Sequence, residues 1–262
     1  MWAKDRPPAH PDDGGAETLA SFAENHPAPR PGHPAARPAV IAHRGASTEA
    51  PENTLAAFEA AMAAGADWFE LDVRLTRDGV PVVLHDATLD RTTDGSGPIA
   101  ETDWATLAGL SARAWFGPAF AAVRVPTLAE ALRCARGRSG VYVEVKSCED
   151  DAALIDYLGQ LGHTHTDRDA FVAAWRAAVA ASNTGDHALT RATAAAIAAA
   201  DARPYVVLQS FSPVVCFLAR EAAPTLRVEL LLQNDAEYPG RWDQLHRFGR
   251  AIGVAGFNPD YH

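Results

Sequence analysis

PAVIAHRGASTEAPENTLAAFEAAMAAGADWFELDVRLTRDGVPVVLHDATLDRTTDGSG, residues 38 to 97, holds most of the side chains in this chain that could do chemistry. Ala39 to Ala42 is a short apolar run between prolines and His43-Arg44-Gly45, the pattern of a buried strand that ends in a polar, glycine-kinked loop. Thr54 to Ala64 carries Leu55, Phe58 and Met62 at helical spacing, with Pro51 and Asn53 as start signals and Gly65 as the stop. Trp68 to Leu75 then alternates, so that Phe69, Leu71 and Val73 face one way and Glu70, Asp72 and Arg74 the other. After the turn Thr76-Arg77-Asp78-Gly79, a third short strand over Pro81 to Leu84 delivers His85 and Asp86 to its end.

The C-terminal ends of the strands of a parallel α/β barrel share one rim, so His43, Arg44, Glu70, Asp72 and His85 can converge although they are dispersed in the chain. Two histidines, two acids and an arginine suit a phosphate-ester site. Further strands are predicted at Val141 to Lys146, with Glu144 and Lys146 on one face, at Tyr205 to Phe211, at Leu226 to Gln233 and at Ala251 to Phe257. That makes seven strands separated mainly by helices, one short of a closed eight-stranded barrel. Leu128 to Ala135 and Pro213 to Glu221 read as single helices, and residues 151–200 as an alanine-rich helix pair or triplet.

The rest of the chain bounds the function. At 262 residues and 48% hydrophobic it can bury one large core, and α/β barrels run to about 250 residues as one domain. A net charge of −10 opposes nonspecific binding to nucleic acid or to an anionic membrane surface. No signal peptide or membrane span is legible, and Cys134, Cys148 and Cys216 have neither disulfide-framework nor zinc spacing, which points to a reducing, cytoplasmic setting. Residues 1–37 are rich in Pro, Ala, Gly and His and read as a disordered tail, with Glu17 to Asn25 as a short helix at most. The tail histidines and the His163/His165 pair read as solvated rather than metal-binding, since nothing fixes a third ligand near them. Residues 86–125 form an insertion after the third strand, whose aromatics Trp104, Trp115 and Phe116 read as its own small core.

In order and spacing, His43-Arg44-Gly45, Pro51-Glu52-Asn53-Thr54, Glu70-Leu71-Asp72-Val73, Asp78-Gly79 and His85-Asp86 resemble the glycerophosphodiester phosphodiesterase family. Pro126-Thr127-Leu128, Glu144-Val145-Lys146 and Gln209-Ser210-Phe211 continue the resemblance. It implies a TIM-type barrel over residues 38–262 that hydrolyses glycerophosphodiesters to glycerol 3-phosphate and an alcohol. Related barrels act on lysophospholipids or sphingomyelin-like lipids, and a barrel that binds without turnover is the reading from another class. The resemblance stops before the family's last helix and eighth strand, so the chain is expected to be a truncated version of a longer enzyme.

The resemblance also implies that Glu70, Asp72 and Glu144 hold one divalent cation, Mg²⁺ or Ca²⁺, as their oxygen-only chemistry suits. A metal-free cluster held by Arg44 and Lys146 is the alternative. His43 and His85 fit the two proton transfers that phosphodiester cleavage needs, without the sequence saying which is base and which acid. Arg44 and Lys146 would meet the phosphate. Glu52 and Gln209 are expected to support the site from behind, although a helix-terminal acid such as Glu52 also suits the macrodipole. The oligomeric state is left open.

Overall fold

The protein's structure is a computed structural model that describes residues 38–112, 116–148, 151–164, 167–233 and 241–259. The expectations for the 1–37 tail, for Trp115 and for the His163 and His165 side chains lie outside what it describes. Strands β1 (Ile41–Ala42), β2 (Trp68–Leu75), β3 (Pro81–Val83), β4 (Gly140–Val145), β5 (Val206–Ser210), β6 (Arg227–Leu232) and β7 (Gly256–Pro259) form one curled sheet. Its order is β1-β2-β4-β5-β6-β7, all parallel, with β3 off that path and paired with β2.

The helices are α1 (Leu55–Ala63), α2 (Trp104–Leu107), α3 (Leu128–Ala135), α4 (Ala152–Thr164), α5 (Arg168–Ala181), α6 (Asp186–Ala199), α7 (Pro213–Ala222) and α8 (Arg241–Ile252). Strand–helix alternation around a parallel sheet is the TIM-type architecture. The described residues supply six of its parallel strands, with β1 and β7 as the edges of the sheet.

Two readings from the sequence change here. The third strand is antiparallel: Val73 pairs with Val83 and Leu75 with Pro81, so β3 folds back as an arm of β2 instead of joining the barrel. A five-residue connection cannot make the crossover that a parallel pair requires. The last strand also shifts, because Ala251 and Ile252 end α8, Gly253 leaves the helix at φ 72°, and β7 begins at Gly256. The apolar run there is the buried stripe of an amphipathic helix, in which Phe248 and Ile252 meet the core.

The alternation in β2 holds, but both of its faces are buried. Phe69, Leu71 and Val73 are fully buried against the helical layer, while Glu70 and Asp72 face the barrel interior and are also closed off from solvent. Phe58 of α1 stacks on Phe69 with ring centroids 4.3 Å apart, and burying each ring contributes about 2 kcal/mol. α1 starts at Thr54, whose hydroxyl accepts the Ala57 N–H; Asn53, expected as a start signal, turns its side chain elsewhere. α3 begins with a capping box between Thr127 and Glu130. Residues 151–200 form the triplet α4, α5 and α6. Val82 and Leu84 of the β3 arm join Leu89, Ile99, Leu107 and Val125 of the insertion in a second small core, against which Trp104 packs.

Candidate active site

Parallel registry brings the acids together. Asp72 on β2 lies opposite Glu144 on β4, and Glu144 opposite Gln209 on β5, so one interior layer reads Asp72-Glu144-Gln209 at the C-terminal ends of the strands. Glu70, Asp72 and Glu144 each place a carboxylate oxygen within 4.8 Å of the other two, and all three are buried. Glu70 Oε1 and Asp72 Oδ1 are buried without a hydrogen bond. Burial, and then the charges of Asp72 and Glu144, push the Glu70 carboxyl well above its usual range. Glu144 is raised as well, chiefly by burial, against the opposing pull of Lys146. Two buried oxygens without a hydrogen bond, in a closed, self-repelling, all-oxygen set, fit a hard divalent cation.

The cations arrive from two loops. Lys146 Nζ lies 2.6 Å from Glu144 Oε1 and 3.4 Å from Asp72 Oδ1. Arg44, held at φ 58°, donates its backbone N–H to Glu70 Oε2 at 2.9 Å, and its Nε stands 3.3 Å from Asp72 Oδ2. A positive φ at an arginine costs about 1 kcal/mol or more, so the loop is held in place by its neighbours. Gly45 follows at φ 80°, where a Cβ would sit 2.7 Å from the Ala57 backbone; a glycine is required for that close approach.

His43 Nε2 is 3.8 Å from Glu70 Oε2. Desolvation at the crowded rim, then the positive charge of Arg44, lower its pKa even though the ring remains open to solvent on one side. His85 Nδ1 lies 2.7 Å from Asp86 Oδ1, and the ring stands close enough to Glu144 and His43 to influence both. The His85 carbonyl accepts the Arg74 Nε–H at 2.7 Å, and Leu84 N donates to Asp72 O, so the antiparallel β3 arm brings His85 back to the rim.

The two expected supporting residues part company. Glu52 accepts from Arg44 at 3.0 Å and stands beside the site. The Gln209 amide oxygen faces Asn258 on β7, which also bonds Glu229. Reading the sequence missed two participants. Asn53 clamps Asp72, and Arg91 of the insertion bonds both Glu52 and Asp86. Arg91's position five residues after Asp86 is its one local signal, since nothing in a turn-rich stretch says where a side chain will reach.

A cavity of about 580 Å³ opens elsewhere, between α4, α5 and α8, lined among others by Leu158, Phe171, Arg168, Arg247 and Arg250. None of the rim groups lines it, so convergence of chemistry and not cavity size marks the site.

Known proteins resemble the chain in sequence and in fold. The chain is 49% identical over 109 residues to the glycerophosphodiester phosphodiesterase of Caldanaerobacter subterraneus, covering 41% of this chain and 45% of that protein. It is 42% identical over 110 residues to human glycerophosphodiester phosphodiesterase 1, covering 41% of this chain and 33% of that one. The matched segments thus span about half or less of the length of these curated relatives. Among solved structures, an Oleispira antarctica phosphodiesterase in complex with the product sn-glycerol-3-phosphate superposes with a TM-score of 0.63 at 27% identity, covering 85% of this chain and 74% of that one. The glycerophosphodiester phosphodiesterase of Agrobacterium tumefaciens gives a TM-score of 0.56 at 26% identity, covering 85% and 96%. Residues 43–261 match the family's sequence pattern over most of the chain's length, and on that match the chain belongs to the glycerophosphoryl diester phosphodiesterase family.

Proposed function

We propose that this protein hydrolyses glycerophosphodiesters to glycerol 3-phosphate and an alcohol, with one divalent cation, Mg²⁺ or Ca²⁺, held by Glu70, Asp72 and Glu144. The observation that carries this reading is the convergence of those three buried carboxylates with Arg44, Lys146, His43 and His85 at one rim. When bound, the cation supplies charge stabilisation to the phosphoryl oxygens. Arg44 and Lys146 add charge-assisted hydrogen bonds to the same group, which their present carboxylate partners release as the phosphate arrives. His43, neutral at pH 7 because its pKa is lowered, accepts the proton of the attacking water. His85, with Nδ1 tied to Asp86, presents Nε2 to the leaving alkoxide and gives it a proton.

Incubation with glycerophosphocholine and Mg²⁺ or Ca²⁺, with release of glycerol 3-phosphate followed with and without EDTA, tests the reading. Turnover that EDTA abolishes is expected, and His43→Ala or His85→Ala should each lower kcat by about 10² to 10⁴ with the melting temperature nearly unchanged. Binding without turnover, or near-normal rates in either variant, would overturn it.

A further inference from the structure

Arg91 belongs to no strand or helix, yet its guanidinium ties two parts of the rim together. Its Nε and one terminal nitrogen donate to the two oxygens of Asp86 at 2.7 and 3.0 Å. Its terminal nitrogens donate to the two oxygens of Glu52 at 3.0 and 2.8 Å. Asp86 holds His85 Nδ1 at 2.7 Å, and Glu52 holds Arg44 at 3.0 Å. The chain of contacts His85-Asp86-Arg91-Glu52-Arg44-Asp72 is therefore unbroken from one candidate acid–base residue to one candidate cation ligand.

Two forks on one planar cation are a geometry that an ammonium cannot copy, because lysine donates from a single point. Without the guanidinium, the carboxylates of Asp86 and Glu52 would confront each other unscreened. Asp86 would then be free to rotate away from His85, and Glu52 to draw Arg44 away from Asp72. Arg91 is 44% exposed at its side chain, and ion pairs that open to water contribute little to stability. Its orienting effect is therefore larger than its contribution to holding the fold.

We propose that Arg91 is a positioning residue: by bridging Asp86 and Glu52 it keeps His85 Nδ1–H on Asp86, so that Nε2 faces the leaving group and is the nitrogen that gives up its proton, and keeps the Arg44 guanidinium aimed at the substrate phosphate. This rests on the roles given to His85 and Arg44 above. It also makes the insertion a working part of the site, since Arg91 is the point at which the insertion grips both loops.

The test uses the full chain with Mg²⁺ and glycerophosphocholine, comparing wild type with Arg91→Ala and Arg91→Lys. In Arg91→Ala, kcat should fall about 10- to 100-fold and KM should rise, with a melting shift under about 3 °C. Arg91→Lys should stay within a few-fold of the alanine variant, and added guanidinium at millimolar levels should restore part of the alanine variant's rate. A nitrogen-15 spectrum of the imidazoles, taken at a pH where the rings are neutral, supplies an arm that needs no turnover: the neutral His85 ring should show the single Nδ1–H tautomer in wild type and a tautomer mixture in both variants. Wild-type protein that never hydrolyses the diester would sink the proposed function, while the His85 spectra would still decide the role of Arg91. Full rates in Arg91→Ala, restoration by lysine, or unchanged His85 tautomers would each overturn the inference. Should Arg91→Ala fail to fold, Arg91→Lys, which keeps charge and length, carries the same readouts.

Discussion

Asn53 and Asp72 hold each other twice: the Asn53 amide donates to Asp72 Oδ2 at 2.7 Å, and the Asp72 backbone N–H donates to Asn53 Oδ1 at 3.1 Å. Both residues are buried, and Asn53 sits at φ 59°, a conformation asparagine tolerates better than most residues. The clamp ties the loop before α1 to the strand that carries two of the three clustered acids.

Asn53→Ala should therefore cost about 3 kcal/mol, the loss of two buried hydrogen bonds plus strain at positive φ. Asn53→Gly should recover about 1 kcal/mol of that, because glycine takes positive φ freely. Urea unfolding of the two variants checks both the size and the order, and equal values would refute the strain component.

Gly45 and Gly79 have nearly the same φ, 80° and 82°, but different surroundings. A Cβ on Gly45 would press on the backbone of Ala57, whereas nothing lies within 4 Å of one on Gly79. Gly79→Ala should cost about 1 kcal/mol and leave turnover intact. Gly45→Ala should cost more than about 3 kcal/mol and displace the His43-Arg44 loop, seen as a lowered melting temperature together with lost activity.

The three buried acids repel one another, and a cation held among them would relieve that repulsion, so its binding should stabilise the fold. A cation at about 100 times its Kd adds about 2.7 kcal/mol. Glu70→Gln removes one charge from the cluster, so in EDTA it should be at least as stable as wild type while losing the response to Mg²⁺ or Ca²⁺. Thermal melts with and without EDTA read both effects, and a wild type indifferent to either ion would speak against the site.

Asp186 is fully buried on α6 and accepts from Cys148 N at 2.8 Å and Ser147 Oγ at 3.0 Å, pinning the loop that follows Lys146. Burial, and Asp151 nearby, raise its pKa above the usual value. A carboxyl whose folded pKa is raised binds its proton more tightly when folded. Its share of stability is thus greatest in acid and falls as pH rises from about 3.9 through the folded value. The stability of Asp186→Asn relative to wild type should consequently climb with pH across that window and then level off. Unfolding measured at several pH values would show a flat difference if the carboxyl were unperturbed.

Periodicity in the chain determined much of this protein. The alternation of Trp68 to Leu75 put Glu70 and Asp72 on one face, that of Val141 to Lys146 put Glu144 beside Lys146, and helical spacing marked α1, α3 and α7. Those are local facts, since the side-chain direction of a residue follows from the dihedrals of its own segment. The spacing of the quoted motifs was enough to single out His43, Arg44 and His85 as well. What tertiary structure alone decided is which segments meet. The same short apolar run at Pro81 to Val83 would suit a barrel strand or a returning arm, and pairing with Val73 selects the arm. Ala251 and Ile252 satisfy a strand pattern and a helix pattern alike, and their contact with the core selects the helix. Asn53 reads locally as a helix start and Arg91 as a loop cation, because a hydrogen bond across 19 or 39 residues leaves no trace in the spacing around either end. Contacts of that kind depend on what lies opposite in space, and only the closed packing of loop, sheet and insertion supplies it.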